Sequence, residues 1–296
     1  MIKKAHQILP HILFLLLFFL ILQPSVEGTD NYVSFLVVAI VIELAMIRGR
    51  KSTVTADIGI IVFLAFIIWE YLTAKAGVKN AMLYPAPENV FGVFIKNYEK
   101  ILEGVFSSLR LLFTAFAIAL VFGVGLGLLV GLSNRLSGTI LPIVKVISPI
   151  PPIIYSPYAV ALLPNFRIAS IFVVTITIFW SIFMSMVLSV RQIDRKIMDS
   201  AKTMNVSKVS MIRDILLPYS LPGIFNSVEV SVSTSFMVLT AAEMIDATSG
   251  LGWYIKYHSD FANFSKVLFG IFMIGVVVTL LNMLIATTRK LLIRWR

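Results

Sequence analysis

Eight apolar runs, at about residues 9–22, 32–47, 57–74, 105–132, 140–163, 168–190, 222–245 and 267–288, dominate this 296-residue sequence. Most approach the roughly 20 residues that carry a helix across hydrocarbon, and the first two are short for it. Barrel strands alternate apolar and polar positions over about ten residues, whereas these runs are continuously apolar. The reading is therefore an all-α polytopic membrane protein with about eight transmembrane helices. At 58% hydrophobic and 14% charged residues, the chain does not have the composition of a water-soluble globule.

The net charge of +10 is best read as topology rather than as a nucleic-acid surface, and no nucleic-acid partner is expected. With both termini cytoplasmic, 16 Lys and Arg fall on inside segments and eight outside, while Lys145 lies within the fifth run. This bias orients the chain in its membrane and puts the stretch 195–217 in the cytoplasm. Lys3 and Lys4 ahead of the apolar run have the layout of a signal peptide, but "QPSVEGTD" offers no small-x-small cleavage site, so the first run is expected to stay. The chain has no cysteine, which rules out disulfides and thiolate metal ligands, and no metal site is expected.

Residues 1–80 hold three spans joined by the short polar links "VEGTDN" and "RGRKST". Residues 81–104, "LYPAPENVFGVFIKNYEKILEG" with its neighbours, read as an extracellular amphipathic segment, entered through an extended stretch at Pro85 and Pro87. Residues 105–290 form a core of five spans interrupted by the loop at 195–217.

Within that core, Gly123, Gly127 and Gly131 recur every fourth residue of an apolar helix and form a flat face for helix packing; they are not a dinucleotide loop, which needs a preceding strand. The fifth span is dense in proline (Pro142, Pro149, Pro151, Pro152, Pro157) and is expected to be broken or kinked, with Tyr155, Ser156 and Tyr158 as candidate pathway residues. Ser181 and Ser185, with Ser189, share one face of the sixth span. In the seventh, Ser235 lies between two intramembrane carboxylates, Glu229 and Glu243, and a carboxylate at that depth suggests function.

The stretch "DSAKTMNVSKVSMIRDILLP" reads as helix, turn, helix. Ile197, Ala201 and Met204 form an apolar face, Asn205 tolerates a left-handed turn, and Ser207 can cap the second helix. Its pattern resembles the EAA loop of ABC-importer permeases: Asp199-Ser200-Ala201, three residues, Asn205, then Ile215-Leu216-Leu217-Pro218. It departs from the family pattern at Glu to Asp, Ala to Ser and Gly to Asn. "LPGI", "AAEM" and "SGLG" further on, "SSLRLLFTAFAIALVFGVGLGLLVGLS" and "YPAP" are similar to the nitrate, sulfonate and taurine branch, so the resemblance covers about 82–290. The three N-terminal spans exceed what that branch usually carries. Glu229 stands where the branch usually has a basic residue, and "LPNFR" replaces its Gly-rich turn.

The resemblance implies a type I importer permease core whose coupling residues are Asp199, Ser200, Ala201, Asn205, Ile215, Leu217 and Pro218. It implies cytoplasmic ABC ATPase subunits, an extracellular solute-binding protein and a second permease copy, in a homodimer surrounded by membrane lipid. The solute would be a sulfonate-, taurine- or nitrate-like anion, or a thiamine or riboflavin precursor. ATP would be bound by the partner; this chain has no Gly-x-x-x-x-Gly-Lys-Ser/Thr loop, so no cofactor or catalytic residue of its own is expected. An alternative is an ion-coupled secondary transporter using Glu229 and Glu243. A membrane enzyme is disfavoured because His6, His11 and His258 are scattered and no acids, bases or metal ligands converge.

Overall fold

Proline spacing and hydropathy determine how the apolar runs become helices. The computed structural model describes residues 2–26, 32–48, 52–77, 80 and 82–293, and every regular element among them is helical. Parts of the two links, 27–31 and 49–51, lie outside the described residues, as do Lys79, Arg294 and Arg296 of the charge asymmetry. The helices are α1 (Ile2–Leu22), α2 (Tyr32–Arg48), α3 (Thr53–Glu70), α4 (Pro87–Leu132), α5 (Asn134–Ile147), α6 (Ser156–Leu162), α7 (Phe166–Arg191), α8 (Arg195–Thr203), α9 (Lys208–Ser210), α10 (Leu217–Asp246), α11 (Leu251–Asp260) and α12 (Phe264–Leu292).

Among the described residues, five stretches are long and apolar enough to cross a membrane: Thr53–Lys75, Pro87–Leu132, Phe166–Arg191, Lys208–Asp246 and Phe264–Leu292. The first two apolar runs form shorter helices. The fifth run is broken, as its prolines suggest: α5 ends at Ile147, a 3₁₀ turn occupies Pro152–Ile154, and α6 is only seven residues long. Pro149, Pro151 and Pro152 each lack the N–H that would continue a helix, and each biases the preceding residue toward extended backbone.

The expected surface segment and the fourth span lie in one helical stretch, α4, whose 46 residues are more than twice the roughly 20 that cross hydrocarbon. Asn97 leaves helical geometry (φ −137°, ψ 20°) and divides the helix.

The chain divides into two compact units. The first comprises residues 1–102 and 254–272. There α1 packs along α3, and Gly59 of α3 sits where Met46 of α2 and Pro10 of α1 meet; a Cβ at Gly59 would lie 2.2 Å from the Met46 methyl. Phe35 stacks on Phe91 at 5.6 Å between centroids, and Phe272 meets Phe91 edge-on at 5.1 Å, so rings from α2, α4 and α12 share one cluster. Lys75 pairs with buried Glu70 at 3.1 Å and donates to the Gln23 carbonyl at 2.7 Å, tying the ends of α1 and α3. His11 of α1 and Glu43 of α2 are bonded across their helices.

His258, on α11 between spans, lies against the Tyr254 ring at 4.5 Å. Burial, then the positive charges of Lys266 and Lys100, push its imidazole down to about 4 from the usual 6.5. Above pH 6.5 the ring is neutral whether the unit is folded or unfolded. Between pH 6.5 and 4 the unfolded chain takes up a proton that the folded chain refuses, so stability falls as pH falls through that window. His258→Gln is therefore expected to flatten the melting-midpoint profile in detergent between pH 6.5 and 4.5 relative to wild type. Identical slopes would contradict this.

The second unit, residues 103–253 and 273–296, is built on α4, α7, α10 and α12. Buried Ala169, Val173, Ile178, Ile182, Met186 and Val190 of α7 recur at helical spacing and face this core. The α4 glycines lie directly against them. A Cβ at Gly123 would be 2.9 Å from Ile182 Cγ2, at Gly127 2.7 Å from Met186 Cβ, and at Gly131 2.9 Å from Val190 Cβ. Close contact between α4 and α7 therefore depends on hydrogen at all three positions.

Candidate coupling loop and solute pathway

The loop after α7 is built by local chemistry. Asp194 caps α8, its side chain accepting from the Lys196 N–H at 2.9 Å. At the other end Asn205 takes the left-handed conformation (φ 53°), the Val206 N–H reaches the Ala201 carbonyl at 3.0 Å, and the Asn205 N–H reaches that of Lys202 at 3.0 Å. These two bonds define a Schellman motif with Asn rather than Gly at the left-handed position. Ser207 then caps α9 by accepting from the Ser210 N–H at 3.1 Å.

Met211–Leu216 continues as a π-helical turn into α10, with the Leu217 N–H bonded to the Ile212 carbonyl. Pro218 has no N–H for the Asp214 carbonyl, and widening the helix just ahead of the proline accommodates that loss. Leu216, between the coupling candidates Ile215 and Leu217, is fully buried and anchors the loop's end.

Of the expected apolar face, Ala201 is buried, whereas Ile197 (42% exposed) and Met204 (77%) stand in the open, joined by Val209 (72%). Asp199, Ser200, Thr203 and Met204 border a shallow concavity beside this ridge. A small apolar ridge edged by charge is a surface suited to a groove on another protein.

Farther along α10, Glu243 is buried with a donor on each carboxylate oxygen. Ser108 Oγ donates to Oε1 at 2.6 Å, and the Gly252 N–H donates to Oε2 at 2.8 Å; Ser108 in turn accepts from the Leu251 N–H at 3.0 Å. The glycines of "SGLG" allow this approach: Gly250 has φ +123°, and a Cβ at Gly252 would fall 2.3 Å from the Thr240 carbonyl oxygen. Glu243 thus joins α4, α10 and the turn into α11. Glu229 forms an ion pair with Arg289 of α12 at 3.4 Å.

A cavity of about 490 Å³ opens between the broken segment at 148–153 and the helices α7 and α10. Ser148, Thr177, Trp180, Ser181 and Thr234 supply its polar groups, and among the described residues no charged side chain lines it. Of the pathway candidates, Ser181 is on this wall. Ser185 instead packs against α10, where a Cβ at Gly223 would be 3.0 Å from its hydroxyl. Ser156 and Ser235 are buried and donate to the carbonyls of Ile153 and Val232. Tyr155 and Tyr158 border a separate, mostly apolar cavity of about 510 Å³ with Phe172 and Trp180. Trp180 and Ser108 carry no signal in the sequence, because what each contributes depends on residues far along the chain.

Residues 119–295 match the family described as the binding-protein-dependent transport system inner membrane component. The chain belongs to this family. The permease is 29% identical over 189 residues to the nitrate import permease protein NrtB of Synechocystis, covering 64% of this chain and 69% of that one. It is 25% identical over 249 residues to the taurine transport system permease protein TauC of Escherichia coli, covering 82% and 90%. Its fold is similar to that of a chain of the inward-facing MetNI methionine ABC transporter, with a TM-score of 0.56 at 20% identity, covering 67% of the permease and 96% of that chain. The permease is therefore an inner-membrane transport component with a type I importer core.

Proposed function

We propose that this chain is the pathway-forming subunit of an ATP-driven importer, working as a homodimer, with both termini cytoplasmic, embedded in membrane lipid and served by an extracellular solute-binding protein. Cytoplasmic ATPase subunits bind and hydrolyse the ATP. The solute is a small organic or inorganic anion of the nitrate, taurine or sulfonate kind, or a thiamine or riboflavin precursor; the names of the relatives support the first group. Asp199, Ser200, Ala201, Asn205, Ile215, Leu217 and Pro218 transmit movement of the ATPase pair to α7 and α10, and do no chemistry.

The observation that carries this reading is the capped loop with Ile197, Met204 and Val209 exposed. Isolated apolar side chains on a surface are ordinary, but three on one short loop, capped at both its helices, that follows directly on α7 and leads into α10 are suited to passing force between a partner and those helices. An ion-coupled mechanism fits less well, since Glu229 is paired with Arg289 and both oxygens of Glu243 accept hydrogen bonds.

The absence of cysteine makes the test direct. A Met204→Cys variant carrying benzophenone-maleimide, expressed with its ATPase, is expected to give a permease–ATPase adduct on illumination. Phe106→Cys, at an exposed position of α4, is expected to give none. Equal yields at both sites, or an adduct only from Phe106→Cys, would overturn the assignment.

A further inference from the structure

The end of the core opposite the coupling loop holds another cavity, of about 420 Å³. Connectivity fixes its position. Phe166, the first residue of α7, lines it, and the 26 residues of α7 lead about 39 Å away from it to the loop. Returning from the loop, α10 ends at Asp246, just before the lining residues Thr248 and Ser249.

The walls bring together Arg110 of α4 and Arg167 of the first turn of α7, with the hydroxyls of Ser107, Thr248 and Ser249; among the described residues Glu103 is the single acid. Ser107 and Ser249 are hydrogen-bonded to each other at 2.8 Å, which fixes the α10–α11 turn beside α4. Neither guanidinium forms an ion pair with a described residue. The positive end of the α7 dipole adds to the same field. Two unpaired guanidiniums, a helix N-terminus and three hydroxyls set against one carboxylate select negative charge. The planar fork of arginine matches a flat or tetrahedral oxyanion through paired N–H groups. The 490 Å³ cavity, by contrast, has no charged wall among the described residues.

We propose that the Arg110–Arg167 cavity is a capture site for small oxyanions, which holds a sulfonate-, nitrate- or carboxylate-sized group before it passes to the uncharged cavity. This rests on reading the chain as an importer permease, and it narrows the solute to the anionic group. A flat patch of arginine would suit acidic side chains of a docking protein equally well. The concave shape and the hydroxyls within it favour a small free anion.

The test uses the full chain in phosphatidylcholine nanodiscs, titrated with methanesulfonate by calorimetry in the absence of ATP, ATPase and binding protein. Saturable binding is expected, weakened roughly tenfold for each arginine removed in Arg110→Gln, Arg167→Gln and the double variant. Arg110→Lys/Arg167→Lys is expected to fall between, because charge remains while the fork is lost. Circular dichroism and a monodisperse elution profile identify a variant that has not folded; the lysine pair then provides the comparison. Adding phosphatidylglycerol is expected to leave methanesulfonate affinity within about twofold, since the cavity takes a free anion. Three results would overturn the proposal: no methanesulfonate binding to the wild type; competition by phosphatidylglycerol that abolishes it; or unchanged methanesulfonate binding in a double variant that no longer binds the solute-binding protein. Because the readout needs no ATPase, methanesulfonate binding without ATPase association would contradict the importer reading and leave the capture site standing.

Discussion

Glu243→Ala is expected to destabilise the core more than any other single change considered, by on the order of 3–5 kcal/mol. The substitution strands the Ser108 hydroxyl and the Gly252 N–H, both buried, and leaves a void among α4, α10 and the "SGLG" turn. Each stranded donor accounts for about 1–3 kcal/mol. The melting midpoint in detergent is expected to drop by roughly 10 °C. Glu243→Gln keeps the volume, and its carbonyl can still accept from the Gly252 N–H while its amide donates to Ser108, so it is expected to lose far less stability and to keep transport. The pair of variants also separates two roles. A Glu243→Gln protein that is as stable as wild type yet inactive would identify Glu243 as a proton carrier and contradict its role as a structural clamp.

Ala201→Asp is expected to abolish co-purification of the ATPase and with it all ATP-dependent uptake. Ala201 is 4% exposed and its carbonyl closes the Schellman turn, so a carboxylate there is buried without a partner, at a cost of several kcal/mol to the loop's seating. Met204→Glu makes the complementary test at the exposed C-cap of the same helix. At 77% exposure the new charge stays solvated and the fold is kept, while an apolar contact with the partner is lost. Affinity for the ATPase is expected to fall about tenfold, equivalent to about 1.4 kcal/mol. Unchanged ATPase binding in both variants would place the docking surface elsewhere.

What could be read from sequence is what depends on neighbours along the chain. The break in the fifth apolar run follows from prolines that lack N–H groups, and the left-handed turn at Asn205 and the cap at Ser207 follow from the side chains there. The four-residue spacing of Gly123, Gly127 and Gly131 announces a packing face, although only the structure identifies α7 as the helix it meets. The carboxylates are a different matter. Glu243 and Glu229 are conspicuous in the sequence because charge at membrane depth is costly, but their surroundings depend on residues far away. Ser108 lies 135 positions before Glu243, and Arg289 lies 60 after Glu229. No local pattern announces such partners. The same limit hid the Arg110–Arg167 cavity, whose charged groups come from two helices 57 positions apart and whose hydroxyls come partly from a third region. The kink that divides α4 at Asn97 was hidden for another reason: no proline or glycine stands at that position to mark it.

The central claim, that solute movement through this permease is driven by ATP hydrolysis on a partner and not by an ion gradient, is tested most directly in proteoliposomes. Permease and ATPase are reconstituted together, the solute-binding protein loaded with radiolabelled solute is placed on one side, and ATP on the other. Accumulation is expected only with ATP and ATPase both present, and it is expected to be unchanged when proton and sodium gradients are collapsed by ionophores. Accumulation by the chain alone under an imposed proton or sodium gradient, lost on Glu229→Gln, would contradict the account.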